Sequence, residues 1–379
     1  MKISLFYEFA LPRPWVPDDE RIMLQDCLDE VEAADKAGFS TVWLTEHHFL
    51  EEYCHSTAPE IFLAAASQRT KNIRLGFGIM HLLPAVNHPA RVAERVATID
   101  LLSNGRVEFG TGEGSSVGEL GGFDVDPADK RAQWEESLEV AIRCMIEEPF
   151  TGFKGEQIQM PPRNVIPKPM QKPHPPVWVA CTRPASVQMA AQKCIGALSF
   201  AYTGPGPLTE RVNGYYQEFE EKGVPITPRI NPNILAIGGD LSMMVAKTEE
   251  EALQRLGQGG GFFSFGIMHY YLTGMHVPGL SLIHIYATPP QSWPTILGPV
   301  RFRISTMRVA LRAWTSRLRR RAGDRCAPTA PRASRWLSSL RNSDAAWSTL
   351  RFSGRFWPTI WPGTFLATCG ARAWQSTIA

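Results

Sequence analysis

The chain has 379 residues, 44% of them hydrophobic and 20% charged, and a formal net charge of +2. This composition excludes an intrinsically disordered chain or a fibrous repeat, and the length suffices for one large α/β barrel or two ordinary domains. The seven cysteines form no CxxC pair, the amino terminus "MKISLFYEFALPRPW" lacks the apolar region of a signal peptide, and no long apolar run offers a membrane span, so a cytoplasmic protein is expected.

Strand-like and helix-like segments alternate along the first 250 residues. The predicted strands are 2–7, 41–44, 73–79, 106–110, 177–180, 196–200 and 233–238. The predicted helices are 19–38, 59–69, 89–102, 131–146, 184–194, 209–222 and 248–256. The proline-rich stretch 161–176 predicts an ordered surface loop. Such alternation predicts parallel βαβ units.

Two architectures are compatible with seven strands before residue 240. A doubly wound sheet is complete with that number, whereas a closed (β/α)8 TIM barrel needs one further strand and helix. The pattern leaves both open and favours the barrel.

Polar side chains follow most of the predicted strands at the point where each strand ends. They are Tyr7 and Glu8, then Glu46, His47 and His48, then His81 with Asn87 and His88 further along, the segment "GTGEGSS" at 110–116, and Cys181, Thr182, Arg183 and Ser186. In a parallel barrel, catalytic groups lie where strands end and the following loops begin. The pattern therefore predicts one pocket at that rim.

The segment "TVWLTEHHF" at 41–49 ends a short apolar run with two adjacent histidines. A zinc site needs three or four converging ligands, and neighbouring residues at a strand end point to opposite sides. His47 and His48 are therefore poorly placed to share an ion, and no metal is predicted. The residues alone leave two interpretations open: a structural histidine beside a solvated one, or a catalytic site.

The glycine-rich segment "GTGEGSS" matches only the start of a dinucleotide fingerprint. Its third glycine comes one residue early, and the polar stretch "VGELGGFDVDPADK" follows instead of a helix. It therefore does not predict a Rossmann site. Gly110 and Gly112 at a strand end still allow the backbone to approach a planar ring closely.

The segment "CTRPASV" at 181–187 is a better candidate for binding an anion. Thr182 and Ser186 place hydroxyls at a helix start, Pro184 suits the first helical turn, and Arg183 offers several donors to a phosphate. The alternative is a helix N-cap at Thr182 with a surface charge at Arg183, and the local sequence does not decide between the two.

Three segments resemble the bacterial luciferase-like flavin monooxygenase family. They are "AGFSTVWLTEHHF" at 37–49, "LLPAVNHPARVAERVATIDLLSNGRVEFGTGEG" at 82–114 and "PPVWVACTRPASVQMAAQKCIGALSF" at 175–200. They occur in the family's order and cover most of residues 1–280. The resemblance implies a (β/α)8 TIM barrel that binds reduced flavin mononucleotide (FMN) and uses molecular oxygen.

The resemblance also implies roles for individual residues. His47 corresponds to the histidine tied to the family's oxygen chemistry, with His48 in support, and a group that titrates near neutrality suits proton exchange. The implied cofactor-binding residues are Glu46, Gly110, Gly112, Thr182, Arg183 and Ser186, and the expected walls of the substrate pocket are Tyr7, Phe9, Trp15 and His81. The family's luciferase has a basic residue at the place of Glu113 and an acidic one at the place of Cys181, so phosphate binding is expected to depend on residues 182–186.

The expected function is oxidation of a small hydrophobic organic substrate by a flavin-dependent monooxygenase. The resemblance implies oxygen as co-substrate, a separate flavin reductase, and a homo- or heterodimer; the chain shows no nicotinamide-binding fingerprint of its own. An alternative in the same superfamily is a deazaflavin-dependent oxidoreductase that transfers hydride without oxygen. The intact "EHHF" segment favours FMN.

Composition changes sharply after residue 280. Residues 281–379 contain 15 Arg and two Asp but no Lys or Glu, a formal charge of +13 that leaves −11 for residues 1–280. Without sustained periodicity, this composition is typical of GC-rich DNA translated in a wrong frame. We predict a barrel domain at 1–280 and an aberrant tail at 281–379, frameshifted or disordered, that replaces the eighth strand and helix. The rival interpretation is nucleic-acid or acidic-membrane binding through the arginine cluster 317–321, although such segments normally mix Lys with Arg.

Overall fold

The computed structural model of the protein describes residues 2–200, 205–237, 246–255, 265–273, 276–282 and 364–370. Nine strands in these ranges form one sheet, and two more form a separate hairpin. The strands are β1 (Lys2–Tyr7), β2 (Thr41–Leu44), β3 (Arg74–Phe77), β4 (Met80–His81), β5 (Val107–Gly112), β6 (Phe153–Lys154), β7 (Gln159–Met160), β8 (Val177–Cys181), β9 (Gly196–Phe200), β10 (Asn233–Ile237) and β11 (Thr364–Gly370).

Helices follow most strands of the sheet. They are α1 (Asp19–Ala37), α2 (Pro59–Arg69), α3 (Pro89–Leu102), α4 (Val117–Gly122), α5 (Lys130–Ile146), α6 (Pro184–Gln192), α7 (Pro205–Lys222) and α8 (Glu249–Arg255), with a 3-10 turn at Glu51–Tyr53 and a π-helical turn at Met268–Thr273. Among the described residues, no helix combines the length and the apolar character needed to cross a membrane.

The strand order confirms the barrel and excludes the doubly wound sheet. Strands β1, β2, β3, β5, β8, β9 and β10 pair in parallel in that order, which is also their order along the chain. A doubly wound sheet would reverse direction at a switch point. Here β3 pairs directly with β5, and the short strand β4, which follows β3 in the chain, pairs with a later part of β5.

The eighth position departs from the regular pattern. Strand β11 lies between β10 and β1 and pairs antiparallel with both. The described ranges contain no eighth parallel strand followed by its helix, and the replacement of these elements by the tail stays a prediction. The arginine cluster 317–321 and the rest of the tail, apart from residues 281–282 and β11, lie outside the described residues.

Two apolar layers hold the barrel together. The larger one lies between the strands and the helices, and it buries residues of α1 to α7, for example Leu28, Val31 and Ala34 of α1. The smaller one fills the barrel interior with Phe6, Trp43, Ile79, Trp178, Leu198, Leu235 and Ile237. Since side chains alternate along a strand, Phe6 faces the interior while its neighbours Leu5 and Tyr7 belong to the outer layer.

Glycines make room for the two interior tryptophans. A Cβ at Gly76 would lie 2.3 Å from the Trp43 ring, and one at Gly196 would lie 2.4 Å from the Trp178 ring. The two rings meet edge to face with centroids 5.2 Å apart. These contacts close the interior and leave polar chemistry to the strand ends.

The predicted elements form with small shifts at their ends, with two exceptions. The predicted strand 73–79 is interrupted, because β3 ends at Phe77 and β4 begins at Met80. The polar stretch after β5, predicted as a loop, contains α4, and hydrogen bonds from the second strand end to Glu119 hold this short helix in place. The hairpin of β6 and β7 was not predicted, whereas 161–176 contains no helix or strand beyond one bridge at Arg163.

Candidate active site

The site is built around His47, three residues beyond the end of β2. The backbone N–H of His47 donates to the carbonyl of Ser56 at 3.0 Å. Ser56 Oγ in turn donates to the carbonyl of Thr45 at 2.6 Å. Two crossed hydrogen bonds therefore fix the strand end against the next loop, and the side chain of His47 is only 15% exposed.

Glu119 of α4 is the closest charged partner of His47. Its Oε1 lies 2.9 Å from His47 Nδ1 and accepts the backbone N–H of His48 at 2.9 Å. The Glu119 side chain is completely buried. Burial acts to raise the pKa of Glu119, but the charge and hydrogen bond of His47 outweigh it and hold this pKa below its ordinary value.

Glu8 approaches the other ring nitrogen of His47. Glu8 follows β1 directly, is 4% exposed, and places Oε2 3.7 Å from His47 Nε2. Burial raises the pKa of Glu8 to about 7, although the charge of His47 and a hydrogen bond from Tyr53 act to lower it. Burial alone would lower the pKa of His47, but Glu119, Glu8 and Glu46 raise it to about 9. The ring is therefore protonated at neutral pH.

Glu46 organises the neighbouring polar groups. Its Oε1 lies 3.0 Å from His48 Nε2 and accepts Asn87 Nδ2 at 2.8 Å, while its Oε2 accepts the backbone N–H of His81 at 2.8 Å. Burial acts to raise the pKa of Glu46, but these hydrogen bonds and the nearby charges outweigh it, so the pKa lies below its ordinary value. Burial lowers the pKa of His81, which therefore stays neutral.

A segment distant in sequence covers His47. The hydroxyl of Tyr271, in the π-helical turn, lies 3.2 Å from His47 Nε2. Downstream, the backbone N–H groups of Gly279 and Leu282 donate to Glu51 and Glu52, each at 2.7 Å. These bonds fasten the 276–282 segment to the loop that follows the second strand.

The structure brings His47, His48, Glu46 and His81 together, as predicted. The rings of His47 and His81 meet edge to face at 6.3 Å, and those of His48 and His81 lie 6.0 Å apart. Their roles in catalysis or binding stay predictions.

The other expected wall residues lie elsewhere. The Tyr7 hydroxyl donates to Glu30 of α1 at 2.7 Å, and Phe9 packs against Phe62 of α2. Both side chains thus belong to the outer layer between strands and helices. Trp15 lies beside His55, with its indole N–H donating to the carbonyl of Leu11 at 2.8 Å. Alternation along β1 explains the difference, because Glu8 rather than Tyr7 shares the inward direction of Phe6.

Protein packing accounts for the two glycines assigned to the cofactor. A Cβ at Gly110 would lie 1.8 Å from the backbone oxygen of Phe77, and one at Gly112 would lie 2.8 Å from the side chain of Ile79. Glycine at both positions therefore allows β5 to approach β3 and the turn after it. A contact with a flavin ring at these glycines stays a prediction.

The residues of the predicted anion site lie at the start of α6, and their binding of an anion stays a prediction. Thr182 and Arg183 are exposed, and Ser186 Oγ accepts the backbone N–H of Arg183 at 3.2 Å and donates to its carbonyl at 2.7 Å. The Ser186 hydroxyl thus stabilises the helix start in addition to any role with a phosphate. Glu113 pairs with Arg131 at 3.0 Å, so this carboxylate keeps a cation next to the end of β5.

One nitrogen each of His47 and His81 and one oxygen of Glu119 lie within 4.8 Å of one another. Three groups at that spacing can surround a metal ion, but zinc sites usually take four ligands or three with a water. Hydrogen bonding at 2.9 Å already joins His47 and Glu119. We interpret the group as a hydrogen-bonded cluster, and the absence of a metal stays a prediction.

Sequence reasoning missed Glu119 and Tyr271 and did not assign Glu8. Glu119 lies in a stretch whose polar composition predicts a loop, and Tyr271 lies more than 220 positions from the histidine that it contacts. Strand alternation could have found Glu8, because it follows β1 in the inward register of Phe6.

The model of the luciferase-like monooxygenase family matches residues 5–291. The chain belongs to this family. Limonene 1,2-monooxygenase of Rhodococcus erythropolis is 30% identical over 251 residues, which are 64% of this chain and 61% of that protein. The oxygenase component of flavin-dependent trigonelline monooxygenase of Acinetobacter baylyi is 27% identical over 70% of this chain and 71% of its own length. The chain spans 59% and 61% of the length of two of the curated relatives that it matches.

Solved structures agree on the fold. The monooxygenase RslO1 from Streptomyces bottropensis is 26% identical, with a TM-score of 0.61 over 72% of this chain and 80% of that one. Below 25% identity, the fold is shared with 3,6-diketocamphane monooxygenase of Pseudomonas putida in complex with FMN (20%, TM-score 0.57, 72% and 75% covered). It is also shared with an F420-dependent secondary alcohol dehydrogenase (18%, TM-score 0.56, 76% and 82% covered). Membership of this luciferase-like monooxygenase family places the chain among the oxidoreductases.

Proposed function

We propose that this family member is the oxygenase component of a flavin-dependent monooxygenase that oxidises a small hydrophobic organic substrate with reduced FMN and molecular oxygen. The observation that carries the proposal is the His47 imidazole between Glu119 and Glu8, at the carboxyl end of a luciferase-like barrel. The proposed catalytic unit is residues 1–280. The flavin dependence of the trigonelline relative supports FMN over a deazaflavin.

The polar groups of the site suit a flavin. The second carboxylate oxygen of Glu119, Oε2, accepts no hydrogen bond from the part of the chain that the structure describes. A reduced flavin ring carries N–H donors that buried acceptors of this kind can take. Thr182 and Arg183 at the start of α6 hold the phosphate in this proposal, because a helix amino terminus and a guanidinium both favour an anion. When bound, the reduced flavin supplies the electrons that reduce oxygen.

His47 holds the proton that the reaction needs. Glu119 fixes Nδ1, so Nε2 is the nitrogen that can give a proton to the reacting group and take it back. Tyr271 and Glu8 face this nitrogen and set its surroundings. Neutral His81 and the Tyr271 ring are the proposed polar and aromatic walls of the substrate pocket, whose occupant is a small hydrophobic molecule.

The proposal includes two protein partners. A separate flavin reductase delivers the reduced cofactor, in line with the description of the trigonelline relative as an oxygenase component. A homo- or heterodimer is proposed on the same family resemblance.

The test combines binding with turnover. Titration of the full chain with FMN should quench flavin fluorescence. With an added reductase, FMN and oxygen, the chain should form oxygenated products from limonene-like or aromatic probes, and the reductase alone should not. His47→Ala should lower oxygen-dependent product formation by about 10²-fold or more, while flavin binding changes little. His88→Ala is the matched control, because His88 is exposed and only caps α3.

Equal loss of binding and turnover in His47→Ala would contradict the proton-handling role. Reduction of a substrate by reduced F420 without oxygen consumption would establish the deazaflavin alternative instead.

A further inference from the structure

The two ring nitrogens of His47 face two different buried carboxylates. Glu119 lies 2.9 Å from Nδ1, which is the distance of a strong charge-assisted hydrogen bond. Glu8 lies 3.7 Å from Nε2. The shift needed to form a hydrogen bond there is about 0.8 Å. Glu119 therefore orients the ring, and Glu8 is poised next to the nitrogen that exchanges its proton.

The surroundings of Glu8 leave His47 as its principal cation. The Glu8 carboxyl is 4% exposed, and its Oε2 has no hydrogen-bond partner among the described residues. Tyr53 supplies one hydrogen bond, and Glu119 adds a second negative charge nearby. A buried carboxylate without a full set of partners is stabilised by taking up a proton.

Among the described residues, the titratable groups that surround this pair belong to one cluster. Those that face His47 or Glu8 are Glu46 beyond β2, Tyr53 in the 3-10 turn, Cys54 after it, His81 of β4, Glu119 of α4 and Tyr271 in the π-helical turn. None of these groups carries a positive charge at neutral pH, because His81, the histidine among them, stays neutral. His47 is therefore the cation that Glu8 faces in this cluster.

We propose that Glu8 is the proton partner of His47, a positioning residue that holds the next proton for Nε2 during turnover. The proposal rests on the monooxygenase function above. When Nε2 gives its proton to the reacting group, the O–H bond of the protonated Glu8 breaks and an N–H bond forms at Nε2. Glu8 becomes a carboxylate that pairs with the restored imidazolium, and a proton from solvent later returns it to the acid form.

The test measures the ionisation of His47 directly. In the full chain with 15N-labelled histidine, the His47 signal is assigned by its loss in His47→Ala. Glu8→Gln should lower the pKa of His47 by about one unit or more, because an anion next to the ring is removed. Glu8→Asp should keep most of the wild-type value. Glu30→Gln is the matched control, since Glu30 binds Tyr7 on the other face of β1.

Turnover gives a second readout. In Glu8→Gln, kcat should fall with little change in KM, and the loss of activity at alkaline pH should begin at a pH lower by the same shift. The wild-type His47 signal should also titrate in two steps, because coupled groups share their protons. This measurement needs no Glu8 variant, only the signal assignment from His47→Ala, and it tests the proposal if Glu8→Gln does not fold.

A single-step titration of wild-type His47, or an unchanged His47 pKa in folded Glu8→Gln, would overturn the proposal. An equal shift in Glu30→Gln would do the same. If wild-type protein forms no oxygenated product with reduced FMN and oxygen but the His47 pKa shift is present, the proposed monooxygenase function fails while the pairing of Glu8 with His47 is supported.

Discussion

Glu119→Gln isolates the charge of the buried partner of His47. The amide keeps the size of the side chain and an oxygen that can accept from His47 and His48, each now at 2.9 Å. An opposite charge this close shifts a pKa by about 1 to 3 units, and each unit corresponds to about 1.4 kcal/mol. The substitution should therefore lower the free energy of unfolding by roughly 1.4 to 4 kcal/mol where His47 is protonated.

The effect of Glu119→Gln on stability should depend on pH through the ionisation of His47. The folded-state pKa of His47 is raised from 6.5 to about 9, so its stabilising contribution is complete below the unfolded value and is lost as pH rises through the folded value. The difference between wild type and Glu119→Gln should be largest near about pH 6 and small near about pH 10. Guanidinium unfolding at both values measures it.

A matched variant controls for general charge effects. Glu32 forms exposed ion pairs with Lys36 and Arg69, so Glu32→Gln should change stability little at either pH. Equal destabilisation of Glu119→Gln at both pH values would refute the reasoning, since it would show that shape or hydrogen bonding, and not charge, holds Glu119.

Two predictions concern the barrel itself. Gly110→Ala places a methyl group 1.8 Å from the backbone oxygen of Phe77, so β3 and β5 must separate. We expect the free energy of unfolding to fall by about 3 kcal/mol or more in denaturant experiments. A decrease below about 0.5 kcal/mol would mean that packing does not require this glycine. Arg106→Met removes a buried guanidinium that donates to Thr70 Oγ1 at 2.8 Å and to the carbonyls of Ile73 and Ser67 at 2.7 and 2.8 Å. Because the carbonyls are left without these donors, we expect the free energy of unfolding, measured with denaturant, to fall by about 3 kcal/mol or more. Arg163→Met is the control, because Arg163 is exposed and its replacement should change this free energy little.

Local pattern was enough to predict the parallel strand–helix units, and it favoured the barrel over a doubly wound sheet without deciding between them. Each of the seven strands is a short apolar run followed by an amphipathic helix, which predicts parallel strands in both architectures, whereas their pairing in chain order is a tertiary feature. The failures have local causes. The stretch containing Glu119 has the polar composition of a loop, but α4 forms because Glu119 is held by His47 and His48.

Only part of the site could be predicted. The sequence indicates the histidine pair because an apolar strand ends abruptly in polar residues there. His81 lies at the equivalent end of the next predicted strand. The contacts that set the ionisation of His47 depend on tertiary structure. Its partners Glu8, Glu119 and Tyr271 come from three separate places in the chain. The sequence alone does not indicate which carboxylates contact the imidazole ring of His47.

The antiparallel strand β11 at the eighth position of the barrel has little influence on the position of Glu8 beside His47. Pairing between β1 and β11 ends with Phe6 opposite Thr364, so Glu8 lies beyond the last residue held from that side. On the other side, β1 pairs with β2 as far as Tyr7, and the N–H of Thr45 then donates to the carbonyl of Tyr7 at 3.2 Å.

The loop beyond Glu8 is fastened in the same direction. The N–H of His55 donates to the carbonyl of Phe9 at 3.0 Å, and the N–H of Leu11 donates to the carbonyl of Glu52 at 2.9 Å. Both partners follow β2. Among the described residues, the backbone hydrogen bonds that flank Glu8 beyond Phe6 lead to β2 and the loop after it, so these elements set the distance between Glu8 and His47. The geometry of the proton-handling group thus depends mainly on the half of the barrel whose sequence follows the family. Of the described residues after 280, Leu282 acts on this loop through its hydrogen bond to Glu52.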